Sequence, residues 1–120
     1  MTWEQQLGKK ILVVEDEVVT RGAIRMLLEW EGYRVDCAAD GEEALELLRV
    51  GEKPSLILLD AHMPGCDGWG FREEQRADPD LADIPVVVIS GEDAASLDAA
   101  GHIQKPFEPK ELLEKVWQHG

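Results

Sequence analysis

The sequence predicts an α/β fold: a five-stranded parallel sheet with helices on both faces and right-handed crossovers. Two observations predict it. Short apolar runs alternate with stretches of helical periodicity five times along 120 residues, with no internal repeat and no linker between them. The strongest runs, over residues 11–14, 56–59 and 86–89, carry no polar residue, as strands buried on both faces require. A chain of this length builds one real core and is too small for two. One domain is therefore expected, with its core over about residues 10–118 and an N-terminal extension over residues 1–9.

The first strand, Ile-Leu-Val-Val at 11–14, runs directly into Glu15, Asp16 and Glu17. Residues 17–31 then read as a helix, with Ala23, Ile24, Leu27 and Leu28 facing the core and Gly32 as the C-terminal stop. Tyr33, Val35 and Cys37 alternate with Arg34 and Asp36, giving a half-exposed second strand. Asp40 and Glu43 have the spacing of a capping box, and the helix they open carries Ala44, Leu45, Leu47 and Leu48 before Gly51. The third strand, residues 56–60, ends in Asp60 and a Pro/Gly-rich loop. A short helix over residues 69–76 is stopped at Asp78-Pro79. Residues 84–89 form the fourth strand, ending at Ser90-Gly91. An Ala-rich, weakly helical segment follows from Glu92 to about Ala100, and residues 102–104 make a brief fifth strand before Lys105-Pro106-Phe107. The last helix opens near Glu108-Pro109, with proline in its tolerated first turn and Leu112, Leu113, Val116 and Trp117 as its apolar stripe.

Parallel strands bring their carboxyl ends to one edge of the sheet, where open α/β folds place ligands. Asp60 taken alone reads equally well as a loop cap. Its company decides otherwise. Glu15 and Asp16 follow strand one, Ser90 follows strand four and Lys105 follows strand five. Carboxylates gathered at one edge repel one another by roughly 4 kcal/mol per pair at 4 Å and an effective dielectric of 20. A hard divalent cation relieves that repulsion, and Mg²⁺ is the natural one because it takes one or two carboxylates together with water and phosphate oxygens. A metal, an ammonium at Lys105 and a hydroxyl at Ser90 around one carboxylate make a phosphoryl-transfer site. Asp60 is its nucleophile and an aspartyl phosphate its product.

The formal charge of −13 opposes nucleic-acid phosphates and anionic lipid, so direct binding to nucleic acid or membrane is not expected. No apolar run approaches the roughly 20 residues of a membrane span, and residues 1–10 lack the apolar core of a signal peptide. A cytoplasmic protein is expected. Cys37 and Cys66 have no zinc spacing, and His62, His102 and His119 are not paired on a helix as in a zinc hydrolase. Cys37 reads as a small core residue, and Cys66 as a partly exposed loop thiol.

Four segments taken together resemble the receiver domain of two-component response regulators. They are Ile11-Leu-Val-Val-Glu-Asp-Glu17, Leu56-Ile-Leu-Leu-Asp-Ala-His-Met-Pro-Gly-Cys-Asp-Gly68, Ile84-Pro-Val-Val-Val-Ile-Ser90 and Lys105-Pro-Phe107. The likeness runs from about Lys10 to about Gln118. It implies a flavodoxin-like sheet of order 2-1-3-4-5 and a phosphoryl group accepted on Asp60 from the phosphohistidine of a sensor histidine kinase or phosphotransfer protein. It further implies Asp16 as a direct Mg²⁺ ligand, Glu15 as one acting through water, and His62 as the donor of a backbone carbonyl. Ser90 takes the place of the switch hydroxyl and Lys105 that of the phosphate-binding lysine. The Lys105-Pro106 bond matches one held cis.

The departures from the family pattern are also legible. Glu15 replaces the commoner Asp. His102 stands where an inward-turning aromatic is usual, and His62 and Glu92 occupy positions that tune loss of the phosphoryl group. Only residues 91–104 lie between Ser90 and Lys105, against roughly 11–12 residues for a mean helix alone. The fourth helix is therefore expected to be shortened and the face around it remodelled. The output is expected to pass to a downstream protein partner or to an effector domain missing from this chain. Two other function classes stay open on a parallel sheet of this kind. A haloacid-dehalogenase-type phosphatase would need a second acid where this chain has His62, and a flavodoxin-like binding module would need a phosphate-binding loop where it has Glu15-Asp16-Glu17.

Overall fold

A computed structural model describes residues 8–61, 68–91 and 99–120. Its sheet has five parallel strands in the order β2-β1-β3-β4-β5, made of β1 (Lys10–Val14), β2 (Arg34–Ala38), β3 (Leu56–Asp60), β4 (Val86–Ser90) and β5 (Gly101–Gln104). Four helices are described: α1 (Val18–Trp30), α2 (Gly41–Val50), α3 (Gly68–Ala77) and α4 (Pro109–His119). This is the α/β architecture and strand order expected from the sequence.

The period-2 geometry of the strands divides the core into two layers. Leu12, Val14, Ile57, Leu59, Val86 and Val88 face Ala44, Leu45 and Leu48 of α2 and Phe71 of α3. The alternate residues Ile11, Val13, Leu56, Leu58, Val87 and Ile89 face Ile24 and Leu28 of α1 and Leu112 and Val116 of α4. Every residue of β3 and β4 is buried, which is why those strands read as unbroken apolar runs. Each fully buried aliphatic side chain there contributes about 1.5–3 kcal/mol, and together they make the sheet a rigid base for the residues at its rim.

The local signals act largely as the sequence predicts. Gly32 leaves α1 at φ 93° as the expected stop, whereas Glu17, expected inside the helix, stands just before it as the cap, its carboxylate accepting from the amides of Val19 and Thr20. The Asp40 carboxylate accepts from Glu43 N at 2.8 Å, while Glu43 reaches back to the amide of Ala39. Lys105-Pro106 is cis.

Several details differ from expectation. β4 begins at Val86 rather than Ile84, because Ile84 N still bonds Leu81 O in the preceding turn and Pro85 has no amide to give. Ser90 is the last residue of β4 and not the first beyond it. Trp117 is 40% exposed and Ala23 is exposed, so the apolar stripes of α4 and α1 are wider than the faces they bury. Cys37 is half-buried against the α1 layer. β4 and β5 are separated only by residues 91–100; the shortened helix expected there, with Glu92, and the loop carrying His62 and Cys66 lie outside the described residues.

Candidate functional site

The four sequence segments that end in polar residues do so at one rim of the sheet. Val14 closes β1, and the next residue is held to β2 by the bond from Glu15 N to Ala38 O, 3.0 Å. That bond turns the Glu15 side chain inward, where it is 1% exposed, and leaves Asp16 on the surface. Asp60 ends β3 at 5% exposure. Beyond it, Ala61 N bonds Ile89 O at 3.0 Å and Ala61 O accepts from Gly68 N at 3.1 Å, so the backbone after Asp60 is pinned to β4 on one side and to α3 on the other. Ser90, also buried, is one residue past Ile89, the register partner of Asp60. Lys105 is placed by its own amide, which bonds Ser90 O at 2.7 Å.

The charges converge. Glu15, Asp16 and Asp60 each offer a carboxylate oxygen, and the three atoms lie within 4.8 Å of one another. The Lys105 ammonium is 2.8 Å from Glu15 Oε1 and 3.7 Å from Asp60 Oδ2. Burial pushes the Glu15 carboxyl above the usual carboxylate range and the Asp60 carboxylate pushes it further, with Lys105 drawing it part of the way back. Burial works against the charge on Lys105. Its hydrogen bond to Glu15 and the field of Asp60, Glu15 and Asp16 outweigh that and hold its pKa above the ordinary lysine value.

One ammonium does not balance three carboxylates, and the geometry suits a further small cation. Oxygen ligands around an ion at 2.0–2.1 Å are about 3 Å apart when adjacent and about 4.2 Å apart when opposite, so the three oxygens, within 4.8 Å of one another, draw inward to share one. An all-oxygen, acidic donor set favours a hard divalent ion such as Mg²⁺ over softer metals.

Glu15, Asp16, Asp60, Ser90 and Lys105 are thus brought to one rim, as expected. His102 lies apart from them. It pairs in register with Val88, below the level of Ser90, and is exposed on the edge strand. His62 and Glu92 are outside the described residues. Two residues at the site gave no sequence signal. The Arg21 guanidinium donates to Glu15 O at 2.8 Å and to Asp16 O at 3.4 Å. Gly68 brings α3 so close that a Cβ there would sit 2.8 Å from Ala61 Cα. An arginine on an amphipathic helix reads as solvated, and a loop glycine reads as a turn.

Known proteins resemble this chain in sequence and fold. Residues 11–117 match the family described as "Response regulator receiver domain". The protein named "Probable transcriptional regulator ycf27" of Cyanophora paradoxa is 41% identical over 115 residues, which cover 90% of this chain and 46% of that protein. The chain spans about half the length of the curated relatives it matches. Among solved structures, the chemotaxis protein CheY4 of Vibrio cholerae superposes with a TM-score of 0.86 at 28% identity, over 94% of this chain and 99% of its own. The receiver domain of a sensor histidine kinase from Pseudomonas aeruginosa PAO1, solved with a magnesium ion coordinated in its active-site cleft, gives 0.86 at 27% identity over 93% and 97% of the two chains. With its sheet order, its rim of acids and lysine, and a family match over nearly its whole length, this chain belongs to the response regulator receiver domains of two-component signalling.

Proposed function

We propose that Asp60 is the phosphoacceptor of this receiver and takes its phosphoryl group from the phosphohistidine of a sensor histidine kinase or phosphotransfer protein. The observation that carries the reading is the buried Asp60 carboxylate at the end of β3, with two further carboxylates within 4.8 Å and the Lys105 ammonium at 3.7 Å. An Asp60 oxygen forms the new bond to phosphorus as the phosphorus–nitrogen bond of the donor breaks, and the imidazole nitrogen leaves with its electron pair. Glu15, Asp16 and Asp60, with the backbone carbonyl of His62 as the family resemblance suggests, would hold Mg²⁺, which when bound supplies positive charge to the phosphoryl oxygens. Lys105 exchanges part of its contact with Glu15 for the arriving phosphoryl group, and the Ser90 hydroxyl donates to it. Loss of the group to water restores the carboxylate, so the protein acts as a switch that is reset and not as a turnover enzyme. His102, His62 and Glu92 are assigned to switching and tuning.

The donor would dock across α1. Val19, Met26 and Trp30 are 76%, 69% and 88% exposed there, and the groove between α1 and Pro106-Phe107 leads to Lys105 at the rim. The output goes to a downstream protein or an effector domain. Among the described residues no helix is long and apolar enough to cross a membrane, and a kinase-fed switch of this kind works in the cytoplasm. A flavin phosphate is disfavoured by the acids after β1. Incubation with Mg²⁺ and phosphoramidate tests the reading by intact mass. One phosphoryl group is expected on the wild type and none on Asp60→Asn; no uptake, or equal uptake by the variant, would overturn it.

A further inference from the structure

Arg21 lies in the first turn of α1, with its amide on Glu17 O at 2.9 Å, and its side chain turns back over the loop that leads into the helix. There the guanidinium donates to two consecutive carbonyls, Glu15 O at 2.8 Å and Asp16 O at 3.4 Å. Every residue of the acidic loop is consequently tied by its backbone or its cap. Glu15 is held through its amide to β2, Glu15 and Asp16 through their carbonyls to Arg21, and Glu17 through its carboxylate to the amides of Val19 and Thr20. Asp16 has an exposed carboxylate, so the direction in which that side chain points depends on the backbone beneath it.

A guanidinium bonded to the carbonyls of Glu15 and Asp16 brings positive charge to a loop meant to help hold a cation, and like charges repel. An anchor that orients ligands has the opposite effect, because groups that fix ligand direction are worth about 10–100-fold in metal affinity. We propose that Arg21 is a positioning residue for divalent-cation binding, clamping the carbonyls of Glu15 and Asp16 so that their carboxylates stay within bonding range of an ion shared with Asp60. This rests on the reading of that acidic trio as the Mg²⁺ site. The two effects differ in sign. If charge dominates, loss of Arg21 tightens Mg²⁺ binding; if positioning dominates, it weakens it.

The test is a titration of the wild type, Arg21→Met and Arg21→Lys with Mg²⁺, followed through the NMR amide shifts of residues 15–17, alongside hydrogen exchange of the same amides without metal. About tenfold weaker binding is expected for Arg21→Met, with Arg21→Lys in between, since one ammonium can satisfy one carbonyl in a well-formed helix. Faster exchange at Asp16 and Glu17 than in the wild type, with the β1 amides unchanged, is expected in both variants. Binding by Arg21→Met that is equal to the wild type or tighter overturns the positioning role while leaving the metal site intact. Wild-type protein that takes up no Mg²⁺ overturns the metal reading and the role of Arg21 with it. A variant with a lower melting temperature but unchanged affinity shows a structural contact only and also overturns the proposal. Should Arg21→Met fail to fold, Arg21→Lys decides alone by the same criteria.

Discussion

Glu15 is a carboxylate kept from water between a second carboxylate and an ammonium, and its titration is coupled to folding. Its pKa is raised in the folded chain by burial first and by Asp60 next, so the native state keeps this proton to a higher pH than the unfolded state does. The sign follows from linkage. Between the unfolded value near 4.5 and the raised folded value the native state binds more protons, so this group costs stability progressively as pH rises through that window. Glu15→Gln is therefore expected to melt above the wild type at pH 7.5 in EDTA, with the gap closing as pH falls towards 4.5. A variant that melts lower at pH 7.5 would mean that the 2.8 Å pair with Lys105 outweighs burial. Gly68 poses a steric problem of the same local kind. A Cβ there would meet Ala61 Cα at 2.8 Å and Ala61 O at 3.0 Å, backbone atoms that cannot rotate away. Gly68→Ala is expected to cost about 1–3 kcal/mol, as overpacking typically does, and to lower phosphoryl uptake because the displaced residue adjoins Asp60. Thermal melting and the mass assay check the two effects separately.

At the scale of elements, α1 serves two faces. Ile24 and Leu28 are buried against the sheet, while Val18, Val19, Met26 and Trp30 remain exposed along the outer side. The buried face is legible from its i, i+4 spacing. The outer one is not, because periodicity reports where apolar residues fall and not which of them the sheet covers, and so it points Ala23 to the core although that residue is exposed. The strands are legible to within two residues, most sharply where a run is buried on both faces, and the rim of Glu15, Asp16, Asp60, Ser90 and Lys105 follows from strand ends alone. Arg21 and Gly68 stayed hidden because both act on backbone atoms, the carbonyls of Glu15 and Asp16 and the main chain of Ala61, to which side-chain chemistry gives no clue. If α1 receives the donor protein, Met26→Ser and Trp30→Ser together should raise KM for phosphotransfer from that protein by about tenfold or more, the loss typical of central aromatic and apolar anchors. The rate with phosphoramidate should not change. Equal losses with both donors would place the defect in the site and not in docking.

For the molecule as a whole, repulsion acts at two ranges. Twenty-five acids against 12 Lys and Arg leave a formal charge of −13 spread over a small surface, while three of the acids are concentrated at the sheet rim. The spread charge is screened by any salt, because at 0.3 M the Debye length is only about 6 Å. The concentrated charge is not, since Glu15 and Asp60 are buried. Raising NaCl from about 20 to about 300 mM should therefore raise Tm in the wild type and in Asp16→Asn alike. Mg²⁺ added at constant ionic strength acts on the rim by mass action, worth about 1.4 kcal/mol at ten times its Kd and rising with concentration. That second increment should be present in the wild type and largely lost in Asp16→Asn, because the variant lacks one of the three converging carboxylates. Stabilisation by Mg²⁺ that is the same in both proteins would mean the ion works only as salt, and the acids at the end of β1 would then have no metal to hold.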